Sequence, residues 1–248
     1  MPALGCPNPA HCPVPHPEAV NLDHLRTLVV PGGRRLFTAY PRAHWGAGPF
    51  NPSGLGDTRF APIVDTYGAV VPTVYVAVTA TVALLETVFH EVQPTGARVI
   101  SESIDLVPRG LGTLVVPASA LRLYDLTDPA LALLGLGREN LVSCSPEHYA
   151  CTREWATALR TRHTRGTTPV GIVWHSRITE LNAAHMGPML SDLMTDENRR
   201  VAVVFGDRIG TDVALWQAAT HADDLTSGAG RMFVDDIAVQ IAATVLAT

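Results

Sequence analysis

The segment PTVYVAVTATVALLETVFHEV, residues 72–92, combines the residue pattern of a strand with that of a helix. In its first half, Val74, Val76 and Val78 alternate with other residues, which is the period of a strand that buries one face. Tyr75 lies between two of these valines and therefore points to the opposite face. The pattern by itself describes Tyr75 as a half-buried strand tyrosine of an ordinary kind.

The second half of the segment has the period of a helix. Thr79 or Thr81 can cap its first turn by accepting a backbone hydrogen bond. Glu86 lies at the margin of the apolar face of this helix. That face contains Leu84, Leu85, Val88 and Val92. Periodicity therefore describes Glu86 as an ordinary flank residue and assigns it no function.

The rest of the chain alternates strands and helices, which predicts an α/β fold. Strands are predicted at RRLFTAY (34–40), ARVISESIDLV (97–107), GTLVVP (112–117), LRLYDL (121–126), PVGIVWHS (169–176) and RRVAVVFGD (199–207). Helices are predicted at PEAVNLDHLRTL (17–28), SPEHYACTREWATALRTRH (145–163), with Ser145 as N-cap, and RMFVDDIAVQIAATVLA (231–247). Residues 41–69 form a loop rich in Gly, Pro and Asn, and a loop of this length is typical of a functional region.

The composition excludes several classes of protein. The chain has 248 residues, of which 47% are hydrophobic and 17% charged, and this suits one globular domain. A formal net charge of -5 gives no indication of nucleic-acid or anionic-membrane binding, and no apolar run has the length of a membrane span. The N-terminus lacks a signal-peptide pattern, so a cytoplasmic protein is expected. All 18 basic residues are arginine, which excludes a Schiff-base lysine and a Walker A lysine.

The sequence has four cysteines, at positions 6, 12, 144 and 151. Cys6 and Cys12 lie in a proline-rich segment with His11 and His16 nearby. A zinc knuckle is one interpretation, but the spacing matches no standard ligand pair, so no metal is predicted and a disordered or extended arm is favoured. The second pair of cysteines flanks a predicted helix start and is interpreted as two buried thiols in a reducing compartment.

Several short motifs occur in an order that resembles the RES-domain family, which is named for its arginine, glutamate and serine. The motifs are FNP (50–52), RF (59–60), PTVYVA (72–77), ALLETVFH (83–90), LRLYDLTDPALALLGL (121–136), YACTREWATAL (149–159) and GIVWHSR (171–177). The similarity covers roughly residues 34–208. Each motif is weak alone, whereas the ordered set is fairly specific.

The resemblance implies an ADP-ribosyltransferase-like fold, an α+β domain with a split β-sheet core flanked by helices. It divides the chain into a proline-rich arm with a short helix (1–33), a RES-like catalytic domain (34–208) and a C-terminal helical extension packed on that domain (209–248). A single domain with two appendages is therefore expected.

The resemblance also implies an enzyme that consumes NAD. Members of the family split NAD at the nicotinamide–ribose bond by phosphorolysis or hydrolysis, or pass ADP-ribose to a protein, and several are toxins of toxin–antitoxin pairs. NAD is thus expected as the substrate. A cognate antitoxin and a second copy of the chain are the candidate protein partners, while nucleic acid and membrane are not expected. Whether the acceptor is phosphate, water or a protein stays open.

Four residues match functional positions of the family. Glu86 matches the glutamate, Ser176 the serine, Tyr75 the tyrosine of the strand before the glutamate, and Arg59 the loop arginine; Asn51 of the FNP motif is a further expected NAD contact. The residue types suit the chemistry, because a carboxylate stabilises positive charge on the ribose, an aromatic ring faces the departing nicotinamide and a guanidinium pairs with pyrophosphate. Glu86, Tyr75 and Ser176 are the expected catalytic residues. Arg59, Tyr75, Ser176 and Asn51 are the expected NAD-binding residues.

One position departs from the family pattern. Thr38 stands where family members have an arginine in the first strand, and Arg34, Arg35 or Arg42 could replace it from nearby. If none does, a phosphate contact is lost. This leaves open a catalytically degenerate relative that binds a nucleotide or a partner without turnover. An unrelated hydrolase is disfavoured, since the sequence has neither a G-x-S-x-G nor an H-E-x-x-H motif, and no feature favours a purely structural protein.

Overall fold

A mixed β-sheet runs through the centre of the protein in the computed structural model, which describes residues 6–43, 49–92, 98–162, 166, 168–183, 192–209 and 219–247. Among these residues, eight strands form one sheet and two more form a parallel pair. The strands are β1 (Thr27–Val30), β2 (Arg35–Pro41), β3 (Thr73–Ala77), β4 (Val99–Ser101), β5 (Arg109–Val115), β6 (Leu121–Asp125), β7 (Gly171–His175), β8 (Arg200–Phe205), β9 (Ala219–Ala222) and β10 (Thr244–Leu246). The order across the large sheet is β1-β6-β7-β8-β3-β2-β5-β9, and only β6 and β7 run parallel in it.

Helices flank this sheet. Those of the described ranges are α1 (Ala80–Leu85), α2 (Asp128–Leu133), α3 (Arg138–Leu141), α4 (Tyr149–Thr161), α5 (Arg177–Asn182) and α6 (Gly228–Gln240). Short 3-10 turns occur at Pro9–His11, Pro17–Ala19, Leu22–His24, Pro146–His148 and Gly206–Arg208, and a π-helical turn at Glu102–Leu106. No helix in this part of the chain combines the length and apolarity that crossing a membrane requires. The predicted mixed α/β fold with one domain is confirmed.

The alternation of β3 separates two apolar layers. Val74 and Val76 pack into one layer, together with buried residues of β5, β6 and β8. Tyr75 and Ala77 face the other layer, which includes the fully buried Trp155 of α4. Burying one large apolar side chain contributes roughly 1.5–3 kcal/mol, so packing on both faces fixes the orientation of the strand. The predicted direction of Tyr75, opposite to the valines, is confirmed.

The large sheet opens between β2 and β3. β2 pairs with β5 over all seven of its residues, and β3 pairs with β8 over all five. Between β2 and β3, Phe37 opposite Ala77 is the one pair in the described chain. The sheet is therefore split into two ladders that meet at one residue pair and diverge beyond it, in agreement with the split sheet that the resemblance predicts.

The helix after β3 is shorter than predicted. It starts at the expected place, since the Thr79 hydroxyl accepts a hydrogen bond from the amide three residues later (3.2 Å). It ends at Leu85, however, and Glu86 is its C-terminal cap residue. The Thr87 hydroxyl donates to the Ala83 carbonyl at 2.7 Å and so occupies the acceptor of the next helical turn. Glu86 therefore lies at a helix end rather than on a helix flank.

Three further segments differ from the prediction. The strand predicted at 97–107 is limited to β4, which the π-helical turn follows. The helix predicted at 231–247 ends at Gln240, and the chain continues into β10, which pairs with β4. The helix predicted at 17–28 is two 3-10 turns followed by β1, an edge strand paired with β6. Short apolar runs fit either element by periodicity, and their tertiary partners decide between the two.

The N-terminal arm packs on α4. The helix predicted at 145–163 begins with a 3-10 turn before α4, and the Ser145 side chain makes no capping hydrogen bond. Trp155 of α4 is fully buried, and its indole N–H donates to the Pro15 carbonyl at 2.6 Å. Val14 is 4% exposed. Between Cys6 and Val20, the arm is therefore an extended segment with short 3-10 turns, and it contributes to the core.

Candidate active site

A cleft of about 530 Å³ opens where β2 and β3 diverge. Its walls come from both strands, from the loop at 49–62, from the turn after α1, and from α4 and β7. A volume in this range is typical of sites for small molecules and cofactors. Of the expected site residues, Asn51, Arg59, Tyr75 and Glu86 line the cleft.

Ser176 lies behind Glu86 and does not line the cleft. It is fully buried at the N-cap of α5, and its hydroxyl donates to Glu86 Oε1 at 2.5 Å. The same hydroxyl oxygen accepts from the Thr179 amide (3.0 Å) and side chain (2.9 Å). The Ile178 amide lies 3.4 Å from the same carboxylate oxygen. Within the described chain, Glu86 Oε2 has no hydrogen-bond partner and Glu86 forms no ion pair, so one oxygen is anchored and the other is available to a ligand.

Tyr75 links β3 to the loop above it. Its hydroxyl accepts a hydrogen bond from the Phe60 amide at 2.9 Å and lies 2.9 Å from the Thr58 hydroxyl. Its ring meets Trp174 of β7 edge-on, with 6.0 Å between the centroids. Burial raises the pKa of Tyr75 to about 12, against the opposing effect of these hydrogen bonds. The phenol therefore stays neutral at ordinary pH, and the residue offers an aromatic wall rather than a base.

Arg59 is a buried cation held by carbonyl groups. It is 8% exposed, and its Nη1 donates to the carbonyls of Leu141 (3.1 Å) and Cys144 (3.3 Å). Its guanidinium lies 4.9 Å from the ring centre of Tyr149, the first residue of α4. No carboxylate of the described residues forms an ion pair with it. Arg59 thus joins the loop to the start of α4, and its positive charge in the cleft wall is not neutralised.

Asn51 shapes the rim of the cleft. Its side-chain oxygen accepts from the Ser53 amide (3.1 Å) and hydroxyl (2.6 Å), and its amide group donates to the Leu55 carbonyl at 2.9 Å. Its backbone exchanges hydrogen bonds with Thr73. These bonds occupy the side-chain oxygen and one amide hydrogen, so a ligand contact would use the second amide hydrogen.

None of the three nearby arginines replaces the family arginine at Thr38 within the cleft. Thr38 is a buried residue of the cleft wall. Arg34 pairs with Glu197 at 2.8 Å, and Arg42 pairs with Asp223 at 3.8 Å. Like the exposed Arg35, they are absent from the cleft wall. None of these arginines near Thr38 therefore replaces the family's arginine in the cleft wall.

Two other arginines line the cleft, and sequence reasoning did not single them out. Arg109 begins β5, next to β2, and Arg177 directly follows Ser176 at the start of α5. Neither side chain forms a hydrogen bond or ion pair with another described residue, and Arg109 Nε is buried without a partner. Arg177 is the last residue of the GIVWHSR motif, and its position next to the serine could have identified it as a candidate site residue. Arg109 carries no such signal, because only the pairing of β5 with β2 brings it to the cleft.

A charge network fixes the end of β7 just before Ser176. Asp128 of α2 lies within ion-pair distance of Arg138 (3.0 Å), Arg199 (3.3 Å) and His175 (3.1 Å). Burial lowers the pKa of His175, against the opposing effect of the Asp128 carboxylate. The imidazole is therefore neutral at neutral pH and acts in the packing of this corner, away from the cleft wall.

Metal-type ligands also gather outside the cleft. Cys6, Cys12, His148 and Cys151 bring their side chains together between the N-terminal arm and the first turn of α4. Cys144 is separate from this group, since its sulfur lies 3.1 Å from Arg59 Nη1. Cys144 and Cys151 are both buried and free, as interpreted from the sequence, but they have different neighbours.

Comparisons with known proteins give a family match and a structural likeness. A search of curated proteins gives no match. Among solved structures, the chain is similar to a chain in the crystal structure of the M. tuberculosis MbcT–MbcA toxin–antitoxin complex, with 14% sequence identity, 79% of this chain and 87% of that chain covered, and a TM-score of 0.43. A family model described as the RES domain matches residues 35–203, which include β2, the cleft, Glu86 and Ser176. This match spans more than half of the chain, and the protein therefore belongs to the RES-domain family.

Proposed function

We propose that the protein binds NAD in the cleft and breaks its nicotinamide–ribose bond. The observation that carries the proposal is the Glu86 carboxylate, which lines the cleft, is anchored through one oxygen by Ser176 and forms no ion pair with another described residue. Cleavage of this glycosidic bond builds positive charge on the ribose ring. A fixed, unpaired carboxylate stabilises that charge in the transition state.

The other residues of the cleft suit the remaining parts of NAD. Arg59, Arg109 and Arg177 supply positive charge for the two phosphates, and a guanidinium binds phosphate oxygens in pairs. Tyr75 and Trp174 supply aromatic surface for the nicotinamide ring. Ser176 acts through Glu86, as a positioning residue, because its hydroxyl is buried and already bonded to the carboxylate.

The acceptor of ADP-ribose is phosphate, water or a protein side chain, and each gives a different product. The experiment that tests the proposal incubates purified protein with NAD, with and without inorganic phosphate, and follows nicotinamide by chromatography. Nicotinamide released only with phosphate identifies a phosphorylase, and release without phosphate identifies a glycohydrolase. Labelled ADP-ribose on a protein identifies a transferase. Intact NAD after long incubation at high protein concentration contradicts the enzymatic proposal.

A second candidate is a nucleotide-binding protein without turnover. Thr38 favours it, because a cation that family members place in the first strand is missing from the cleft wall. Calorimetry with NAD separates the two candidates: binding without nicotinamide release supports the second. Arg109 and Arg177 supply two cations to the same cleft, and they support NAD binding in either candidate.

A toxin role, with an antitoxin protein as partner, follows from the resemblance to the family and is part of the proposal. If the protein consumes cellular NAD, its expression lowers the NAD pool and arrests growth, and Glu86→Gln abolishes both effects. Growth arrest that persists with Glu86→Gln, at equal protein level, contradicts a toxic role of NAD cleavage.

A further inference from the structure

Three thiols and one imidazole converge at the junction of the N-terminal arm with α4. The ligand atoms of Cys6, Cys12, His148 and Cys151 all lie within 4.8 Å of one another. Cys12 Sγ is 3.5 Å from His148 Nδ1 and 3.6 Å from Cys151 Sγ, and Cys6 Sγ is 3.8 Å from His148 Nδ1. All four cysteines of the chain are free, so no disulfide accounts for the cluster.

The three contacts of 3.5, 3.6 and 3.8 Å are close to the edges of a tetrahedral zinc site. Zinc–sulfur bonds of about 2.3 Å and zinc–nitrogen bonds of about 2.0–2.1 Å give sulfur–sulfur edges of about 3.8 Å and sulfur–nitrogen edges of about 3.6 Å. We propose that Cys6, Cys12, His148 and Cys151 bind one Zn²⁺ ion. Three thiolates with one imidazole form a soft, four-coordinate set that favours zinc and leaves no position for water, so the site is structural.

The local chain geometry places each pair of ligands. His148 and Cys151 are three residues apart, with His148 at the end of a 3-10 turn and Cys151 in the first turn of α4, so both lie on one side of the helix start. Cys6 and Cys12 stand on either side of the 3-10 turn at Pro9–His11, which folds the arm back on itself. The sequence alone predicts no metal, because the Cys6–Cys12 spacing matches no standard pair. The other two ligands are about 140 residues away, and only the fold brings them close.

The surroundings of the cluster suit a buried cation. Cys6, His148 and Cys151 are 8%, 4% and 3% exposed. The second ring nitrogen of His148 lies 3.5 Å from a Glu147 carboxylate oxygen, as is usual for zinc-bound imidazoles. The three thiols would bind Zn²⁺ as thiolates. Zinc binding releases their three protons to solvent and leaves an ion cluster of net charge about −1.

The zinc ion would fasten the arm to the wall of the cleft. The arm already contacts the domain through the Pro13 carbonyl, which accepts from Asn140 at 2.6 Å, and through Pro15 and Trp155. Tyr149 stands between the ligands His148 and Cys151 in sequence, and its ring carries the Arg59 guanidinium. The metal therefore fixes the helix start that supports Arg59, whatever ligand the cleft binds.

Metal analysis of the full-length protein, purified without added metal, tests the inference. We expect about one zinc per chain, as in a closed structural site. Cys12→Ser and Cys151→Ser should each lose the zinc. The matched controls are His11→Ala, which removes an exposed imidazole of the arm, and Cys144→Ala, which removes a buried thiol outside the cluster. Both controls should retain the zinc.

Because a ligand variant can unfold, the wild-type protein provides a second measurement. Removing the metal with a chelator should lower the melting temperature by at least about 5 °C, since a bound ion stabilises only the folded state. Adding Zn²⁺ should restore it, and Co²⁺ should give the intense visible bands of a tetrahedral thiolate site. Wild-type protein that holds no metal and takes up no Zn²⁺ overturns the proposal. So does zinc retained by both Cys→Ser variants, or a Cys12–Cys151 disulfide found by alkylation and mass analysis in metal-free protein.

Discussion

Glu86 and Arg109 line the same cleft, but the protein holds their charges in different ways. The Glu86 carboxylate is anchored by the buried Ser176 hydroxyl, which α5 and Thr179 position in turn. Arg109, like Arg177, has no bonded partner among the described residues. The anion is thus oriented before any ligand arrives, whereas these cations are left for the ligand to pair. An oriented group acts on the transition state, and an unpaired cation acts on binding.

The largest effect is expected at the oriented carboxylate. Glu86→Gln keeps the size of the side chain and an oxygen that accepts from Ser176, but it removes the negative charge. Turnover of NAD should fall by about 100-fold or more, the scale of losing one preorganised stabilising group, while the dissociation constant of NAD changes much less. Single-turnover kinetics and calorimetry measure the two quantities. Glu91→Gln, which changes an exposed glutamate of the cleft wall, is the control. Equal turnover for Glu86→Gln and wild type would return Glu86 to an ordinary surface residue.

The unpaired cations should give the next largest effect, on binding. Arg177→Ala and Arg109→Ala should each weaken NAD binding by about 10- to 100-fold, because a charge-assisted contact contributes about 1.5–3 kcal/mol. Their melting temperatures should stay close to that of the wild type, since neither arginine side chain forms a hydrogen bond or ion pair with another described residue. Calorimetry and thermal denaturation measure both properties. Arg122→Ala, at an exposed arginine of β6 outside the cleft, serves as control. Unchanged affinity in both variants contradicts a role in phosphate binding.

Arg59 should combine the two kinds of effect. Arg59→Ala removes a cation from the cleft wall and also leaves the buried carbonyls of Leu141 and Cys144 without their donor. We therefore expect weaker NAD binding, by about 10-fold or more, together with a loss of stability of about 1–3 kcal/mol. Denaturant unfolding separates this variant from Arg177→Ala. If Arg59→Ala loses stability but binds NAD as the wild type does, Arg59 is structural only.

Removing the anchor should affect turnover more moderately than removing the charge. Ser176→Ala leaves Glu86 charged but free to turn, and we expect turnover to fall by about 10-fold, in line with one hydrogen bond to a charged group. The Michaelis constant should change little, since Ser176 is buried behind the carboxylate. Ser176→Thr keeps the hydroxyl and should recover most of the loss. A reduced affinity with normal turnover would indicate that Ser176 contacts the ligand directly.

The smallest effect is expected for the neutral phenol. Tyr75→Phe keeps the aromatic wall and removes the acceptor of the Phe60 amide, so turnover should fall by less than about 10-fold. The pKa of Tyr75 is raised from its usual value of 10 to about 12 in the folded protein. Below pH 10 the phenol is neutral in both the folded and the unfolded state. Between pH 10 and pH 12 it ionises only in the unfolded state, and this ionisation lowers the free energy of unfolding. The free energy of unfolding should decline less steeply over this range in Tyr75→Phe than in the wild type. Parallel declines would contradict the raised pKa.

Local patterns predicted much of the fold, and the limits of the prediction have physical causes. The alternation of Val74 and Val76 fixed the direction of Tyr75, because packing on both faces of a strand enforces a period of two. The length of α1 was wrong, since the Thr87 hydroxyl competes for a helical carbonyl and periodicity does not register such a bond. Strands at the chain ends were missed because β1 and β10 depend on distant partners.

In the candidate site, too, some residues could be predicted from the sequence and others could not. The ordered motifs pointed to Glu86, Ser176 and Tyr75, but residue spacing could not reveal that the serine lies behind the glutamate. Arg109 enters the cleft only through the register of β5 against β2, which is set by the whole sheet. Likewise, the proposed zinc ligands combine two local pairs that no local pattern connects.

The single residue pair between β2 and β3 has a consequence for how the protein opens. Backbone ladders that share many hydrogen bonds exchange their amide hydrogens together, whereas segments joined by few contacts open separately. β2 with β5 forms one such unit, and β3 with β8, β7 and β6 forms another. We expect hydrogen exchange to resolve two protection levels across this junction. A ligand that spans the cleft would contact both units and couple their opening. The two levels of protection from hydrogen exchange would then come closer together.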